Sequence, residues 1–249
     1  MPFRDEIRRA SETNSSKIVL ALDVEGSRRE EIAKKSKRVL QKVGEYICAL
    51  KINRQLVLSL GLQEGVDSIV KLAHQLSVPT IMDAKLNDIA HTNEFMLRSY
   101  IEAGFDAVIA SPVAGWEGGL DVVFKLAQSH RKSIILLVYM SNPGADAFYS
   151  LMVSNDGEKS RPVFELLTQT AVQWKADGVV VGATKPEIIT RVRRLIGPEM
   201  IIFSPGVGVQ GGNAKKAIAA GADYLIVGRA IWNASDPAVA AKSFRDLTA

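Results

Sequence analysis

Four charged residues in this sequence are spaced so that they could form one reactive cluster. They are Lys51, Asp83, Lys85 and Asp88, and the last three make a D-x-K-x-x-D motif. Residues two apart on a strand face the same side, so Asp83 and Lys85 would share the side of Ile81. Buried charges are costly unless they are paired, and alternating lysines and aspartates satisfy one another. The set indicates a fixed field that can stabilise developing charge and supply a proton. A structural salt bridge between two strands is the alternative.

A glycine-rich stretch, FSPGVGVQGGNAKKA at residues 203–217, predicts a second binding element. Gly206, Gly208 and Gly211 match a dinucleotide fingerprint, but that fingerprint belongs to a first strand–helix unit and needs an acidic residue ending the next strand. A second loop, containing Gly228 and Arg229, follows the next apolar run. Two such loops on neighbouring strands favour a phosphate site built from backbone N–H groups and an arginine fork. A plain turn with a solvated arginine is the alternative.

Eight short apolar runs, separated by helix-length segments, must position these residues. The runs begin at Ile18, Ile47, Thr80, Ala107, Ile134, Gly178, Ile201 and Tyr224. Their near-continuous Val, Ile, Leu and Ala content predicts parallel strands buried on both faces. Eight strand–helix units in 249 residues predict an α/β fold, a (β/α)8 TIM barrel, with an open doubly wound sheet as the alternative. Alternation along the second run would place Ile47, Ala49 and Lys51 on one face.

Charged or polar residues close six of the eight runs, always at the carboxyl end, where barrel enzymes carry their chemistry. No linker divides the chain, so we predict a single catalytic domain over residues 1–249. Residues 4–12 predict an extra, short N-terminal helix at the bottom of the barrel. The polar stretch 154–162 predicts an exposed loop, and we interpret it as a surface insertion rather than a lid.

Composition and charge exclude several classes of protein. The chain is 47% hydrophobic and 23% charged, which is ordinary for a globular protein, and no apolar run is long enough to span a bilayer. The net charge of +4 is spread along the chain, so we expect an anionic small-molecule substrate and no nucleic-acid partner. The single cysteine and three scattered histidines show no zinc spacing. We therefore expect a cytoplasmic protein with no metal site and no membrane contact.

The motifs together resemble one enzyme family. Six motifs are similar to the pattern of orotidine 5′-monophosphate decarboxylases. They are D-x-K-x-x-D-I at 83–89, ALD at 21–23, ALKI at 49–52, MSNPGA at 140–145, SPGVGVQGG at 204–212 and VGR at 227–229. The resemblance extends from about residue 17 to residue 237. It implies a carboxy-lyase that converts orotidine 5′-monophosphate to uridine 5′-monophosphate without a cofactor or metal, in the last step of de novo pyrimidine nucleotide synthesis. It also implies a homodimer.

The resemblance further implies a role for each matching residue. Lys85 would protonate carbon 6 of the pyrimidine, Asp83 would lie beside the departing carboxylate, and Lys51 would hold Asp83 and contact the ribose. Asp88 and Thr92 would reach across the dimer interface into the partner's site. The remaining substrate-binding residues would be Asp23 at a ribose hydroxyl, Ser141 at the pyrimidine amide, Gln210, Gly228 and Arg229 at the 5′-phosphate, and Ile89, Pro205 and Gly211 elsewhere around the substrate.

Three other functions stay open from the residues alone. A magnesium-dependent sugar-phosphate decarboxylase or synthase on the same barrel would lose activity with a chelator. A non-catalytic nucleotide-phosphate binder would need the phosphate loops but not the complete charged set. A Schiff-base aldolase would use Lys85 as a nucleophile, which neighbouring carboxylates disfavour by stabilising an ammonium, and borohydride trapping would detect it.

Overall fold

Eight parallel strands close into a barrel in the computed structural model, which describes residues 3–154 and 160–248. The strands are β1 (Ile18–Ala21), β2 (Ala49–Asn53), β3 (Thr80–Leu86), β4 (Ala107–Ala110), β5 (Ser133–Tyr139), β6 (Gly178–Val181), β7 (Ile201–Pro205) and β8 (Tyr224–Val227). Each strand pairs with its neighbours in chain order, and β8 pairs with β1 through Ile18 and Leu225. This closing pair confirms the predicted (β/α)8 barrel and excludes the open sheet.

Helices cover the outside of the barrel. They are α1 (Phe3–Thr13), α2 (Arg29–Val43), α3 (Arg54–Leu60), α4 (Asp67–Gln75), α5 (Ala90–Glu102), α6 (Asp121–Ser129), α7 (Asp146–Tyr149), α8 (Val163–Gln173), α9 (Pro186–Ile196), α10 (Ala214–Ala219), α11 (Arg229–Trp232) and α12 (Pro237–Asp246). Short 3₁₀ turns lie at Gly44–Tyr46, Pro112–Ala114 and Pro143–Ala145, and π-helical turns at Leu62–Val66 and Trp116–Leu120. Of the described helices, none combines the length and apolar character that crossing a membrane requires.

The N-terminal helix closes the bottom of the barrel, the end where the strands begin. Phe3 and Ile7 of α1 are buried together with side chains of the barrel interior, among them Ile81 and Phe203. The Phe3 ring lies 6.4 Å from the ring of Phe203, which stacks on Tyr224 at 5.6 Å. The helix predicted at residues 4–12 is therefore confirmed. Its apolar side chains and the strand residues above them form an apolar floor beneath the barrel interior.

Two details of the sequence prediction need correction. β2 begins at Ala49, so strand alternation does not extend back to Ile47, which packs in the outer core while Ala49 faces the interior. Within the predicted loop 154–162, residues 155–159 lie outside the described part of the chain, and Ser154 and Ser160 are exposed. Arg161–Pro162 instead pairs antiparallel with Met152–Val153, so that end of the segment belongs to a short ribbon.

Three aspartates at the bottom of the barrel each join two neighbouring strands through the same pair of hydrogen bonds. Asp106, Asp177 and Asp223 each stand immediately before a strand, β4, β6 and β8 respectively. The carboxylates accept backbone N–H groups at the start of the preceding strand, from Thr80 at 2.9 Å, Ile134 at 2.9 Å and Ile202 at 2.7 Å. Each aspartate N–H in turn donates to the carbonyl of that same residue. These paired bonds fix the offset between successive strands at the end remote from the cavity.

Replacing Asp106 by asparagine should destabilise the fold in a pH-dependent way. His74 Nε2 lies 2.8 Å and Lys132 Nζ 3.0 Å from the Asp106 carboxylate. Burial opposes ionisation, but the His74 hydrogen bond and the Lys132 charge hold the pKa of Asp106 at about 2, and the same hydrogen bond raises the pKa of His74 above 6.5. Ionised Asp106 therefore stabilises the fold above about pH 4, and protonated His74 does so below about pH 6.5.

We expect Asp106→Asn to lower the free energy of unfolding by about 2 kcal/mol near pH 5. The loss should shrink as the pH falls through about 2, the pKa of Asp106 in the folded protein, and at alkaline pH, where His74 is neutral. Urea unfolding of wild type and variant at several pH values measures this. The control is Asp246→Asn, whose 55% exposed side chain pairs with the adjacent Arg245. A loss that is the same at every pH would contradict the assignment.

Candidate active site

Three of the four predicted charged residues meet at the carboxyl end of the barrel. Lys51 Nζ donates to Oδ2 of Asp83 at 2.8 Å, and Lys85 Nζ donates to Oδ1 of the same carboxylate at 2.6 Å. Lys51 and Asp83 are buried, whereas the Lys85 side chain is 29% exposed. One carboxylate thus holds two ammonium groups, and that of Lys85 is the more open to the cavity above.

The charges in this cluster stabilise one another against burial. Burial alone would raise the pKa of Asp83, but Lys51 and Lys85 hold it at about 2. Burial also opposes a charge on Lys51, yet Asp83 and Asp23 raise the pKa of Lys51. The pKa of Asp23 is raised because burial outweighs the attraction of Lys51, and its Oδ1 is buried without a hydrogen-bond partner among the described residues. Asp23 therefore presents an unused acceptor beside a fixed ion-pair array.

The backbone at Lys85 departs from regular strand geometry. Its φ is +49°, in the left-handed region that non-glycine residues rarely adopt, and the β3–β4 register shifts between Met82 and Leu86. Such a conformation costs on the order of 1–3 kcal/mol and persists where surrounding contacts enforce it. Simple alternation predicted the correct side for Lys85, but the position of its ammonium depends on this bulge as well as on the hydrogen bond to Asp83.

A cavity of about 250 Å³ opens above the ion-pair array. Nine of the predicted residues line it: Asp23, Lys51, Asp83, Lys85, Ser141, Pro205, Gln210, Gly228 and Arg229. The sequence interpretation missed Asn53, which also lines the cavity two residues after Lys51 and could have been found by extending the alternation of β2. It also missed the apolar wall, which comprises Ile109, Leu137, Val180 and Ile226. Lys51, Lys85 and Arg229 outnumber the two carboxylates by one positive charge, which suits an anionic ligand.

The glycine-rich loop after β7 folds back against the cavity. Gly212 N–H donates to the Gly206 carbonyl at 2.9 Å, and Gly211 N–H to the Gly208 carbonyl at 2.8 Å. Gly206 has φ +98°, and a Cβ there would lie 2.8 Å from Cβ of Ser141, so no larger residue fits. The Ser141 hydroxyl donates to Gln210 Oε1 at 3.0 Å, which joins this loop to the end of β5.

Four predicted residues do not line the cavity: Asp88, Ile89, Thr92 and Gly211. Gly211 closes the turn beside Gln210. Asp88 is exposed beyond the end of β3, and its carboxylate accepts the Ile89 N–H at 2.7 Å. The buried side chain of Asn93 accepts the Asp88 N–H at 3.1 Å and donates to the Asp88 carbonyl. The expected array of four alternating charges is therefore wrong for a single chain, because Asp88 belongs to the loop before α5 rather than to the strand.

The described ranges contain no group of three or more His, Cys, Asp and Glu side chains placed to hold a metal ion. Asp23 and Asp83 are the carboxylates at the cavity, and Asp83 has both oxygens engaged by lysines. The donor set therefore favours acid–base and electrostatic chemistry by ammonium groups.

A closed (β/α)8 barrel with ion-paired lysines in a cavity at its carboxyl end has the architecture of a barrel enzyme. Residues 16–244 match the sequence profile of the orotidine 5′-phosphate decarboxylase / HUMPS family. The chain belongs to this family and is an enzyme of the carboxy-lyase class.

Relatives and solved structures agree with this assignment. The orotidine 5′-phosphate decarboxylase of Methanosarcina acetivorans is 38% identical over 92% of this chain and 93% of its own length. The structure of the orotidine 5′-monophosphate decarboxylase from Methanocaldococcus jannaschii, complexed with the inhibitor BMP, has a TM-score of 0.79 and 29% identity, covering 93% of this chain and 98% of that one. The structure of Leishmania donovani UMP synthase has a TM-score of 0.85 and 26% identity, and it matches 99% of this chain and 55% of that one.

Proposed function

We propose that this protein converts orotidine 5′-monophosphate to uridine 5′-monophosphate and CO₂, as the last step of de novo pyrimidine nucleotide synthesis. The observation that carries the proposal is the Lys51–Asp83–Lys85 array at the cavity, facing the glycine-rich loop. The names of the relatives support the substrate. We place the reaction in the cytoplasm, in one catalytic domain, and without a metal or organic cofactor.

In the proposed step, the bond between carbon 6 and the carboxylate breaks, and its electron pair stays on carbon 6. The Lys85 ammonium stabilises this developing charge and then donates its proton to carbon 6, forming the new C–H bond. Asp83 lies beside the departing carboxylate and keeps Lys51 and Lys85 oriented. Neutral Lys85 regains its proton from solvent, to which its side chain is 29% exposed.

The rest of the cavity binds the nucleotide. Oδ1 of Asp23, which is buried and has no hydrogen-bond partner among the described residues, accepts a hydrogen bond from a ribose hydroxyl, and Lys51 also contacts the ribose. Ser141 bonds the pyrimidine amide. Gln210, Gly228 and Arg229 bind the 5′-phosphate, with Pro205 and Gly211 shaping the loop. Binding energy from the distant phosphate can then lower the barrier at carbon 6.

An ultraviolet assay with purified protein tests this function. Orotidine 5′-monophosphate should lose its characteristic absorbance at the same rate with and without excess EDTA, with uridine 5′-monophosphate as the product. Activity abolished by EDTA and restored by Mg²⁺ would favour the magnesium-dependent alternative. No turnover in either condition would refute the proposal.

We propose further that two chains form a homodimer in which Asp88 and Thr92 act in the partner's site. Asp88 does not reach the cavity of its own chain, although its motif neighbours do. Ile89 is 66% exposed and Phe95 68% exposed, on the same short segment. Exposed apolar side chains rimmed by polar residues are typical of a protein–protein interface. Ile89 would then meet the substrate across the same interface.

Mixing two inactive variants should restore activity. In a mixed dimer of Lys85→Ala and Asp88→Ala chains, one site carries both defects and the other carries neither. Random reassortment by co-expression or refolding should recover about a quarter of the wild-type rate. Mixing Lys85→Ala with Asp83→Asn is the matched control and should recover nothing, since both residues belong to one chain's site. Absence of recovery in the first mixture would place Asp88 outside the partner's site.

A further inference from the structure

Ser141 lies in the turn between β5 and α7, residues 140–145. A hydrogen bond outside the cavity joins the two residues that flank this turn. Tyr139, the last residue of β5, is fully buried, and its hydroxyl donates to Oδ1 of Asp146 at the start of α7. The same hydroxyl lies 3.1 Å from the Ser150 hydroxyl. Oδ2 of Asp146 accepts from Lys185 Nζ at 2.7 Å. The two residues that flank the turn are therefore joined directly, and Lys185 ties them to the loop that follows β6.

Further contacts press the turn against the end of β6. The Gly182 N–H donates to the Tyr139 carbonyl at 3.0 Å, and the Thr184 hydroxyl donates to the Ser141 carbonyl at 3.3 Å. A Cβ on Gly182 would lie 2.8 Å from Cα of Ser141, so the two backbones touch. The β5–β6 register also shifts between Leu137 and Tyr139. Such an irregularity re-aims the residues after it, and both Met140 and Ser141 line the cavity.

Within the described part of the chain, Gln210 is the one hydrogen-bond partner of the Ser141 side chain, so the position of Ser141 depends on this framework. Its hydroxyl donates to Gln210 Oε1 at 3.0 Å, which links the pyrimidine side of the cavity to the phosphate side. Misplacing a substrate-contacting group by about 1 Å can cost up to ~10²-fold in rate. Neither Tyr139 nor Asp146 lines the cavity. An effect of these two residues on turnover is therefore indirect, and the turn that carries Ser141 connects them to the cavity.

We propose that Tyr139 and Asp146 are positioning residues, whose hydrogen bond fixes the turn so that Ser141 meets the pyrimidine and Gln210 at once. This inference rests on the proposed function, in which Ser141 contacts the pyrimidine. Tyr139 fixes one end of the turn to β5. The two carboxylate oxygens of Asp146 accept hydrogen bonds from Tyr139 and Lys185, which fixes the other end.

A double-mutant cycle on kcat/KM for orotidine 5′-monophosphate tests the proposal. Tyr139→Phe removes the hydroxyl but keeps the ring that packs on Tyr149 at 5.2 Å and Phe164 at 5.8 Å. We expect kcat/KM to fall ~10-fold in the wild-type background and less than ~2-fold in a Ser141→Ala background, because coupled residues are not additive. Asp146→Asn, at an exposed position, should show the same dependence on Ser141 with a smaller loss, and it serves if Tyr139→Phe folds poorly.

Tyr149→Phe is the matched control, since it removes a neighbouring hydroxyl that is not bonded to Asp146, and it should keep the wild-type rate. Equal losses in both backgrounds would show a general structural role and overturn the proposal, as would a wild-type rate in Tyr139→Phe. If wild type does not decarboxylate the substrate, the proposed function fails and the inference falls with it. If wild type is active but the cycle is additive, the inference alone fails.

Discussion

Replacing Lys85 by alanine should lower the decarboxylation rate by at least ~10⁴-fold, the largest effect of any single substitution in the cavity. The variant loses both the ammonium that stabilises the charge on carbon 6 and the proton that completes the product. Asp83 keeps Lys51 as a partner at 2.8 Å, so no buried charge is left unpaired and the fold should persist. Steady-state rates measured at equal protein concentration, with circular dichroism to check folding, give the comparison.

Lys85→Gly distinguishes the loss of the catalytic ammonium from the effect of backbone strain at this position. Glycine accepts the φ of +49° without strain, so this variant should be about 1 kcal/mol more stable to urea than Lys85→Ala. It should nevertheless be equally inactive. Appreciable turnover in either variant would mean that another group protonates carbon 6. Covalent trapping of Lys85 by borohydride in wild type would instead indicate Schiff-base chemistry.

Replacing Arg229 by alanine should lower kcat as well as raise KM, with a combined loss of ~10³-fold in kcat/KM. Arg229 is exposed beside Gly228 and has no ion-pair partner among the described residues, so its fork is free to bind a phosphate. If phosphate binding also orders the glycine-rich loop, the lost energy appears in the chemical step. Full Michaelis–Menten curves for wild type and Arg229→Ala measure the division between kcat and KM.

Arg28→Ala provides the control for charge alone. Arg28 is 72% exposed and pairs with Glu31 on the outer helix layer, so its loss should leave both constants near wild type. If Arg229→Ala changes KM and leaves kcat at the wild-type value, phosphate binding stabilises the ground state and the transition state equally. It would then not be coupled to the chemical step.

The barrel and its charged cluster could be predicted because the apolar runs and the alternation of side chains along each strand are local properties of the sequence. Eight apolar runs fixed the topology, and alternation placed Asp83 and Lys85 on the interior face, where both are found. Alternation failed at Ile47, which precedes the first ladder residue of β2. It also gave no indication that Lys85 adopts a left-handed backbone, since this depends on how β3 meets β4.

Features that depend on contacts between distant segments could not be predicted in the same way. Asp106, Asp177 and Asp223 look like ordinary turn residues in the sequence, and the backbone groups they bind lie 21 to 43 positions away. The bond from Tyr139 to Asp146 is local, but its importance follows from the burial of Tyr139 and the approach of Lys185 from another loop. Asp88 follows the pattern of its motif yet remains outside the cavity of its own chain.

The distance between Lys85 Nζ and carbon 6 of bound uridine 5′-monophosphate tests the central claim most directly. A crystal structure of the complex should place these atoms within about 3.5 Å, with the 5′-phosphate against Gly228 and Arg229 and a ribose hydroxyl on Asp23. Carbon 6 lying beyond about 5 Å from Nζ, with the nucleotide otherwise well ordered in the cavity, would contradict proton donation by Lys85.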